Sequence, residues 1–404
     1  MKIGILTYHS VPNFGAQLQC LSTVGFIKRC GHDPLVLNWY PKDLEEMYLS
    51  RIPIEQVLIH NSFTKNCLPV TKECINESEL IKEIEKHQIE AIIVGGDALF
   101  KYLPLEKRMR MMLRGENITS VEKLKGNPFF GGFLSHFGGT IKAAAFSVSS
   151  QNSPYKTMLS FEKSAMRHAL SHFNTIYVRD EWTKNMIESI TKNKVKITPD
   201  PVFSFNQNCH HLIPSSEEIQ TKYDIPKKYI LLSFSDKYVS NAYISSLIAG
   251  VKSVGAEPIL LPMPEGHFFD SDEIKRINIP LNPIEWYALI KYSKGYIGER
   301  MHPIVVCIHN SIPFFCFDEY GIIKKSLLNE RTYIKESSKT YSITKKAGLE
   351  ENLFSYHQET EFPQVREILD KLLNFDSIRC SSFAKRYQAE YNIAMNEILE
   401  SFKK

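Results

Sequence analysis

The chain has 404 residues, of which 43% are hydrophobic and 23% charged, with a formal net charge of +4 at pH 7. That length can bury two sizeable cores, and the composition is that of a globular protein, which excludes disordered, fibrous and disulfide-scaffold classes. A positive balance this small and this dispersed argues against nucleic acid as a partner. Basic clusters such as Glu106-Lys107-Arg108-Met109-Arg110 read as local helix surface, or at most a membrane-facing patch.

In chain order, residues 2–7 read as a buried strand followed by a loop over 9–15. The spacing of Leu18, Leu21 and Phe26 predicts a helix over 16–29, stopped by Gly31. Apolar runs at 35–37, 90–94, 141–148, 175–178 and 195–198 predict further strands, with a helix near 161–171. Residues 206–228 are rich in Asn, Pro, Ser and Lys and read as a linker. The pattern then restarts: strand 229–234, helix 240–254, strand 258–262, helix 283–292, strand 295–297 and strand 312–317. Between the last two strands Pro303 suits the first position of a helix running over 302–309. Residues 377–404 place Phe383, Tyr387, Tyr391, Ala394 and Ile398 along one face of a long amphipathic helix.

Strands separated by helices imply parallel sheets with right-handed crossovers. The expectation is an α/β chain of two Rossmann-like doubly wound lobes, 1–205 and 229–375, joined by 206–228 and closed by a helix at 376–404. Ligands of such sheets bind in the crevice outside the carboxyl ends of the strands. Three strand ends carry usable chemistry. Gly95-Gly96-Asp97 permits close backbone approach and offers a carboxylate to orient a hydroxyl or carry a proton. Tyr177-Val178-Arg179-Asp180-Glu181 delivers an arginine to the sheet edge before an acidic helix start. Arg300-Met301-His302 sets a bidentate anion donor and a titratable ring at a helix N-terminus. Each also has a plain structural explanation: a capping aspartate, an Arg179–Glu181 pair, an Arg–Glu surface pair with a capping histidine.

Other chemistries lack their spacings. No Gly-rich loop ending in Gly-Lys-Ser/Thr, no Gly-x-Gly-x-x-Gly and no Gly-x-Ser-x-Gly occurs. Cys209-His210-His211 has no carboxylate cluster beside it, so no metal site is expected. The eight cysteines are scattered without a Cys-x-x-Cys pair and read as buried thiols of a reducing compartment. Met1-Lys2 runs straight into strand-like sequence and no apolar run is long enough to span a bilayer, so the expected location is cytoplasmic.

The chain resembles the polysaccharide pyruvyl transferase family. The resemblance runs in family order through Lys2–Thr7, Asn13-Phe14-Gly15-Ala16-Gln17-Leu18-Gln19, Val94–Ala98 and Asn127-Pro128-Phe129-Phe130. It continues through Val178-Arg179-Asp180, Asp200-Pro201-Val202-Phe203, Pro283-Ile284-Glu285-Trp286 and Arg300-Met301-His302 with Ile312-Pro313. It departs at Met301, where the family has leucine, at Pro303, and in a longer segment between Phe100 and Asn127. The resemblance implies a GT-B-like fold and transfer of pyruvate from phosphoenolpyruvate to sugar hydroxyls as a ketal, in bacterial surface-polysaccharide biosynthesis. It implies catalytic roles for His302, as general acid or as phosphate ligand, and for Asp97, and substrate binding by Arg179, Arg300, Gly95, Gly96, Met301 and Asn13. No cofactor or metal is implied. The acceptor would be a sugar, with a lipid-linked oligosaccharide as one form, which would bring the chain to the inner face of the membrane as a peripheral protein. Residues 101–137 show no clear pattern and read as an acceptor-side excursion or a partly mobile segment. Two rivals stand beside this reading: a GT-B glycosyltransferase using a nucleotide sugar, and a non-catalytic homologue in glycan assembly.

Overall fold

Apolar runs without a polar face need a sheet covered on both sides, and parallel sheets with helical crossovers supply that cover. The computed structural model describes residues 1–40, 42–115, 127–192, 195–235, 237–269, 274–324, 331–359 and 361–403. In the first half, β1 (Lys2–Leu6), β2 (Asp33–Val36), β3 (Ala91–Gly95), β4 (Lys142–Val148), β5 (Thr175–Val178) and β6 (Lys196–Ile197) form one sheet. Their order is β2-β1-β3-β4-β5-β6 and every pairing is parallel. The second half contributes β7 (Tyr229–Ser233), β8 (Glu257–Leu260), β9 (Lys275–Arg276), β10 (Gly295–Gly298) and β11 (Phe314–Asp318). An antiparallel hairpin of β12 (Ile322–Lys324) and β13 (Arg331–Tyr333) precedes β14 (Leu353–Ser355). The second sheet is again parallel, in the order β14-β11-β10-β7-β8-β9.

Strand order reverses between β1 and β3 in one sheet and between β7 and β10 in the other. Connections there leave in opposite directions and open a crevice at the carboxyl ends. Side chains alternate across the first sheet: Ile3, Ile5 and Ile93 join one core, while Leu6, Ile92 and Val94 join another. The first of these cores continues without a break into the second lobe through Tyr229, Leu231, Ile259 and Tyr296. The stripe of the C-terminal helix, Ser377–Ser401, is buried as its periodicity predicts. Tyr391 meets Phe26 and Phe146 edge-on, each at 5.4 Å, and Tyr177 and Lys196 donate to Glu397 at 2.6 and 2.8 Å. At its other end the Cys380 thiol donates to the Ile308 carbonyl at 3.4 Å, so this helix ties both lobes together.

The structure differs from the pattern reading in several places. Residues 206–228 contain the helix Ser216–Tyr223, and Phe205–Cys209 is helical too, with Cys209 and Ile219 in the shared core. The central helix begins at Met301, so Pro303 takes its third position; the first amides of a helix lack partners anyway, and proline is tolerated there. Strands β9 and β14 are too short to show a period. Within 101–137, a helix spans Leu105–Leu113, and Phe129, Phe130 and Phe133 are buried in 3₁₀ turns; residues 116–126 lie outside the described residues. All eight cysteines are free, six buried and two, Cys30 and Cys67, partly so. No helix among the described residues is long and apolar enough to cross a membrane.

Candidate active site

A cleft of about 450 Å³ lies between the lobes at the carboxyl ends of both sheets. Tyr8, Asn13, Asp97, Lys101 and Gln151 line it from the first lobe; Met263, Arg300, Met301, His302, Tyr320 and Lys339 line it from the second.

The second-lobe wall is built by the end of β10. A Cβ on Gly298 would sit 2.2 Å from the Ser233 carbonyl oxygen, so only glycine lets β7 and the turn approach this closely. The next residue, Glu299, is buried; its carboxylate accepts from the Ser235 amide at 3.1 Å and the Tyr356 hydroxyl at 2.8 Å. Tyr296 donates its hydroxyl to the Glu299 carbonyl at 2.6 Å. These bonds hold Arg300 at φ +76°, a conformation that costs a non-glycine residue on the order of 1–3 kcal/mol and is found where function needs it. The Arg300 guanidinium stands 3.7 Å from Glu265 and 3.5 Å from the Met263 sulfur, with its side chain 42% exposed. No side chain caps the helix that follows, so the amides of Met301 and His302 remain available to an anion.

His302 crosses to the first lobe. A Cβ on Gly15 would fall 2.0 Å from His302 Cγ, so that glycine exists to admit the imidazole. His302 Nε2 is buried without a hydrogen-bond partner among the described residues. Burial lowers the pKa of the ring below the ordinary histidine value, against the pull of the Asp97 and Asp200 carboxylates, so the ring is mostly neutral at pH 7.

On the opposite wall Gly96, at φ +86°, turns the chain so that Asp97 reaches the cleft. Asp97 Oδ1 accepts from the Ala98 amide at 2.8 Å, and the Asp97 amide donates to Gln19 at 3.3 Å. Burial pushes the Asp97 carboxyl up, but the imidazolium that His302 becomes in acid, the charges of Arg179 and Lys339 and the Ala98 amide outweigh it and hold the group below the usual range. Asp97 is therefore ionised at neutral pH. Asn13 caps the helix Phe14–Arg29 by accepting from the Ala16 amide at 3.2 Å, and so lines the cleft as part of a helix start.

Arg179 is placed differently from the sequence expectation. Its guanidinium donates to Asp200 at 2.8 Å and stands 3.9 Å from Asp97, buried behind the cleft wall rather than on it. It lines a smaller cavity together with Asp200, Met301 and Lys339, and its Nε and Nη2 have no hydrogen-bond partner among the described residues. Gly95 and Gly96 also sit behind Asp97. A Cβ on Gly95 would meet the Phe146 carbonyl at 2.7 Å, so its role is the spacing of β3 against β4.

Among the cleft residues that escaped the sequence reading are Gly15, Gln151 and Lys339. Gly15 lay inside a recognised motif, but its task depends on a ring from the other lobe. Gln151 follows β4 in a turn without a signature. Lys339 opens the helix Lys339–Ala347, beyond the β12–β13 hairpin. Ser338 caps that helix by accepting from the Tyr341 amide at 3.1 Å, and donates its hydroxyl to Asp318 at the end of β11 at 2.6 Å. The Lys339 ammonium lies 4.6 Å from the Tyr320 ring centre and lines both cavities. Burial brings its pKa down to about 8, with Asp97 opposing and Arg179 and Arg300 assisting, so it remains largely charged at pH 7. The Cys209-His210-His211 run is not part of the site, and no group of three His, Cys, Asp or Glu residues is placed to hold a metal among the described residues.

The architecture is shared with solved structures. UDP-GlcNAc 2-epimerase of Methanocaldococcus jannaschii matches with a TM-score of 0.54 at 12% identity, over 93% of this chain and 94% of that one. The forosaminyltransferase SpnP matches with a TM-score of 0.54 at 10% identity, over the full length of both chains. UDP-GlcNAc 2-epimerase of Neisseria meningitidis, solved with UDP-GlcNAc, matches with a TM-score of 0.54 at 10% identity over 99% of both. At these identities the likeness shows the fold alone, which is that of GT-B glycosyltransferases and epimerases. No curated protein matches the sequence. The family model described as polysaccharide pyruvyl transferase matches residues 13–320, a span that holds the crevice between the two sheets, Asp97, Arg300 and His302, and on that match the chain belongs to the polysaccharide pyruvyl transferase family.

Proposed function

We propose that this protein transfers a pyruvyl group from phosphoenolpyruvate to two hydroxyls of a sugar, forming a ketal, in the synthesis of a bacterial surface polysaccharide. The observation that carries this reading is the division of the cleft. Its second-lobe wall gathers Arg300, Lys339 and the uncapped helix start at Met301, while Asp97 stands ionised opposite. Phosphoenolpyruvate carries a phosphate and a carboxylate, and that wall offers the cations and amides to hold both.

His302 delivers a proton to the methylene carbon of the donor, and positive charge develops at the central carbon. The phosphate of the bound donor raises the His302 pKa, so a ring that is neutral in the free protein takes up the proton it later gives. A sugar hydroxyl attacks the central carbon while Asp97 receives its proton. Phosphate leaves with the bond to that carbon, and a second hydroxyl closes the ketal, its proton ending on phosphate. One donor and one diol thus give one ketal and one inorganic phosphate. Arg179 acts from behind, holding Asp97 and Asp200 in place. An acceptor presented on a lipid carrier would bring the protein to the inner face of the membrane as a peripheral visitor.

The test is calorimetric titration of phosphoenolpyruvate, and separately of a panel of nucleotide sugars, into the wild-type chain and Arg300→Ala. Phosphoenolpyruvate should bind, and the variant should bind it at least about tenfold more weakly, the worth of one charge-assisted hydrogen bond. Binding of a nucleotide sugar alone would overturn pyruvyl transfer in favour of glycosyl transfer.

A further inference from the structure

Backbone strain in this molecule is sorted by position. Of the described non-glycine residues with positive φ, Gln88, Asp224 and Ser311 end helices, where the left-handed conformation is the ordinary way to stop. The other four are Asp97, Ser147, Gln151 and Arg300, at the carboxyl ends of β3, β4 and β10. No helix end accounts for them. Asp97 and Arg300 belong to the proposed chemistry, and Gln151, at φ +50°, lines the same cleft.

The strain at Gln151 is maintained by its surroundings. Its amide donates to the Ser149 hydroxyl at 3.1 Å, and that hydroxyl donates to the Asp180 carboxylate at 2.7 Å. Asp180 is in turn committed, because it caps the next helix through the Thr183 amide at 2.7 Å. The backbone of the turn is thus fixed while the Gln151 carboxamide has no hydrogen-bond partner among the described residues. A strained backbone that holds out an unpaired side chain is the arrangement expected of a ligand contact, since folding alone gains nothing from it.

The chemistry of the group narrows the ligand. A carboxamide is neutral, with two donors and one acceptor, which suits hydroxyls better than a phosphate or carboxylate. It lies in the turn after β4, the strand beside β3, whose end leads to Asp97, and the ring of Tyr8 lines the same wall. Lys101 and the exposed Arg51 line the first-lobe side as well. Arg300 and Lys339 occupy the opposite wall.

We propose that Gln151 is a specificity-determining residue that binds the acceptor: its carboxamide hydrogen-bonds sugar hydroxyls beside the one that Asp97 engages, and so selects which pair of hydroxyls receives the ketal. This rests on the pyruvyl-transfer reading for the identity of the acceptor. The test uses the full chain, Gln151→Ala and Gln151→Gly, with saturation-transfer NMR on methyl glycosides of glucose, galactose and mannose in the presence of phosphoenolpyruvate. The wild type should bind at least one glycoside, and both variants should bind it about tenfold more weakly, with donor affinity unchanged. Gln151→Gly relieves the positive φ, so its melting temperature should not fall. Equal glycoside binding in Gln151→Ala, no glycoside binding by the wild type, or a lower melting temperature for Gln151→Gly would each overturn the assignment. Failure of phosphoenolpyruvate to bind the wild type would instead overturn the donor reading, and the glycoside comparison would still decide the role of Gln151.

Discussion

For three of the ionisable groups at the cleft, the protonation state follows from burial weighed against neighbours. His302 is neutral because desolvation outweighs two nearby carboxylates; Asp97 is charged because three cationic or protonatable groups outweigh its desolvation. Lys339 falls between, brought down to about 8. Its charged form is lost as pH rises through that value, so if it neutralises the donor, kcat/KM should show a further alkaline limb above about pH 8, added to the gradual decline across neutral pH that protonation of His302 in the free protein imposes. Lys339→Gln should lower activity about a hundredfold or more and abolish that alkaline limb. A pH–rate profile of both proteins decides it, and an unchanged limb in the variant would remove Lys339 from the chemistry. Arg300 and His302 could be read in the sequence because two chemistry-bearing residues sit one apart at a strand-to-helix junction. Lys339 could not, since it reaches the cleft only through the Ser338–Asp318 hydrogen bond and the turn beyond β13.

At the scale of elements, the main strands and the C-terminal helix were legible, while the helices Ile54–Cys67, Glu77–Lys86 and Val365–Leu373 went unread. The helix Ser377–Ser401 shows why: its apolar stripe repeats over 25 residues, and the helix buries that stripe against both lobes. Periodicity alone could not say which surface it covers, because a stripe specifies burial and not a partner. The structure supplies the partner in Phe26 and Phe146, which flank Tyr391. Tyr391→Ala should therefore destabilise the chain by about 3–5 kcal/mol, as large-to-small changes at filled sites do. Urea unfolding would measure it, and a loss under about 1 kcal/mol would mean that the helix is peripheral to the core. The segment 206–228 looked like a linker by composition, yet its apolar residues Cys209 and Ile219 sit in the shared core. Polar surroundings hid a short amphipathic helix.

At the scale of the molecule, the relation between the lobes is fixed by a buried polar chain. Gln56, in the helix Ile54–Cys67 of the first lobe, accepts from the Leu281 amide at 2.7 Å and donates to the Leu281 carbonyl at 2.9 Å in the second. It also meets His60 Nε2 at 2.9 Å, and His60 Nδ1 lies 2.6 Å from the side-chain oxygen of Gln17. Burial takes the His60 pKa down to about 3, so this chain stays uncharged across the physiological range. The stacked rings of Phe14 and Trp286, 5.1 Å apart, close the same seam. Gln56→Ala would leave buried backbone groups unpaired at about 1–3 kcal/mol each, and would loosen the approach of His302 to Gly15. Stability to denaturant should fall and the Michaelis constant for the proposed donor, phosphoenolpyruvate, should rise; a variant with wild-type stability would show that the contact contributes nothing to the seam.

The sequence by itself determined the α/β class, the order of the principal strands and helices, and the Arg300–His302 junction. These follow from local periodicity and from residues adjacent in the chain. Only the tertiary structure decided which groups meet: Gly15 beneath His302, Arg179 behind Asp97, Lys339 and Gln151 on facing walls. The physical reason is distance along the chain. A site assembled across two lobes depends on contacts between residues hundreds apart, and their identities are constrained by packing that no local pattern records.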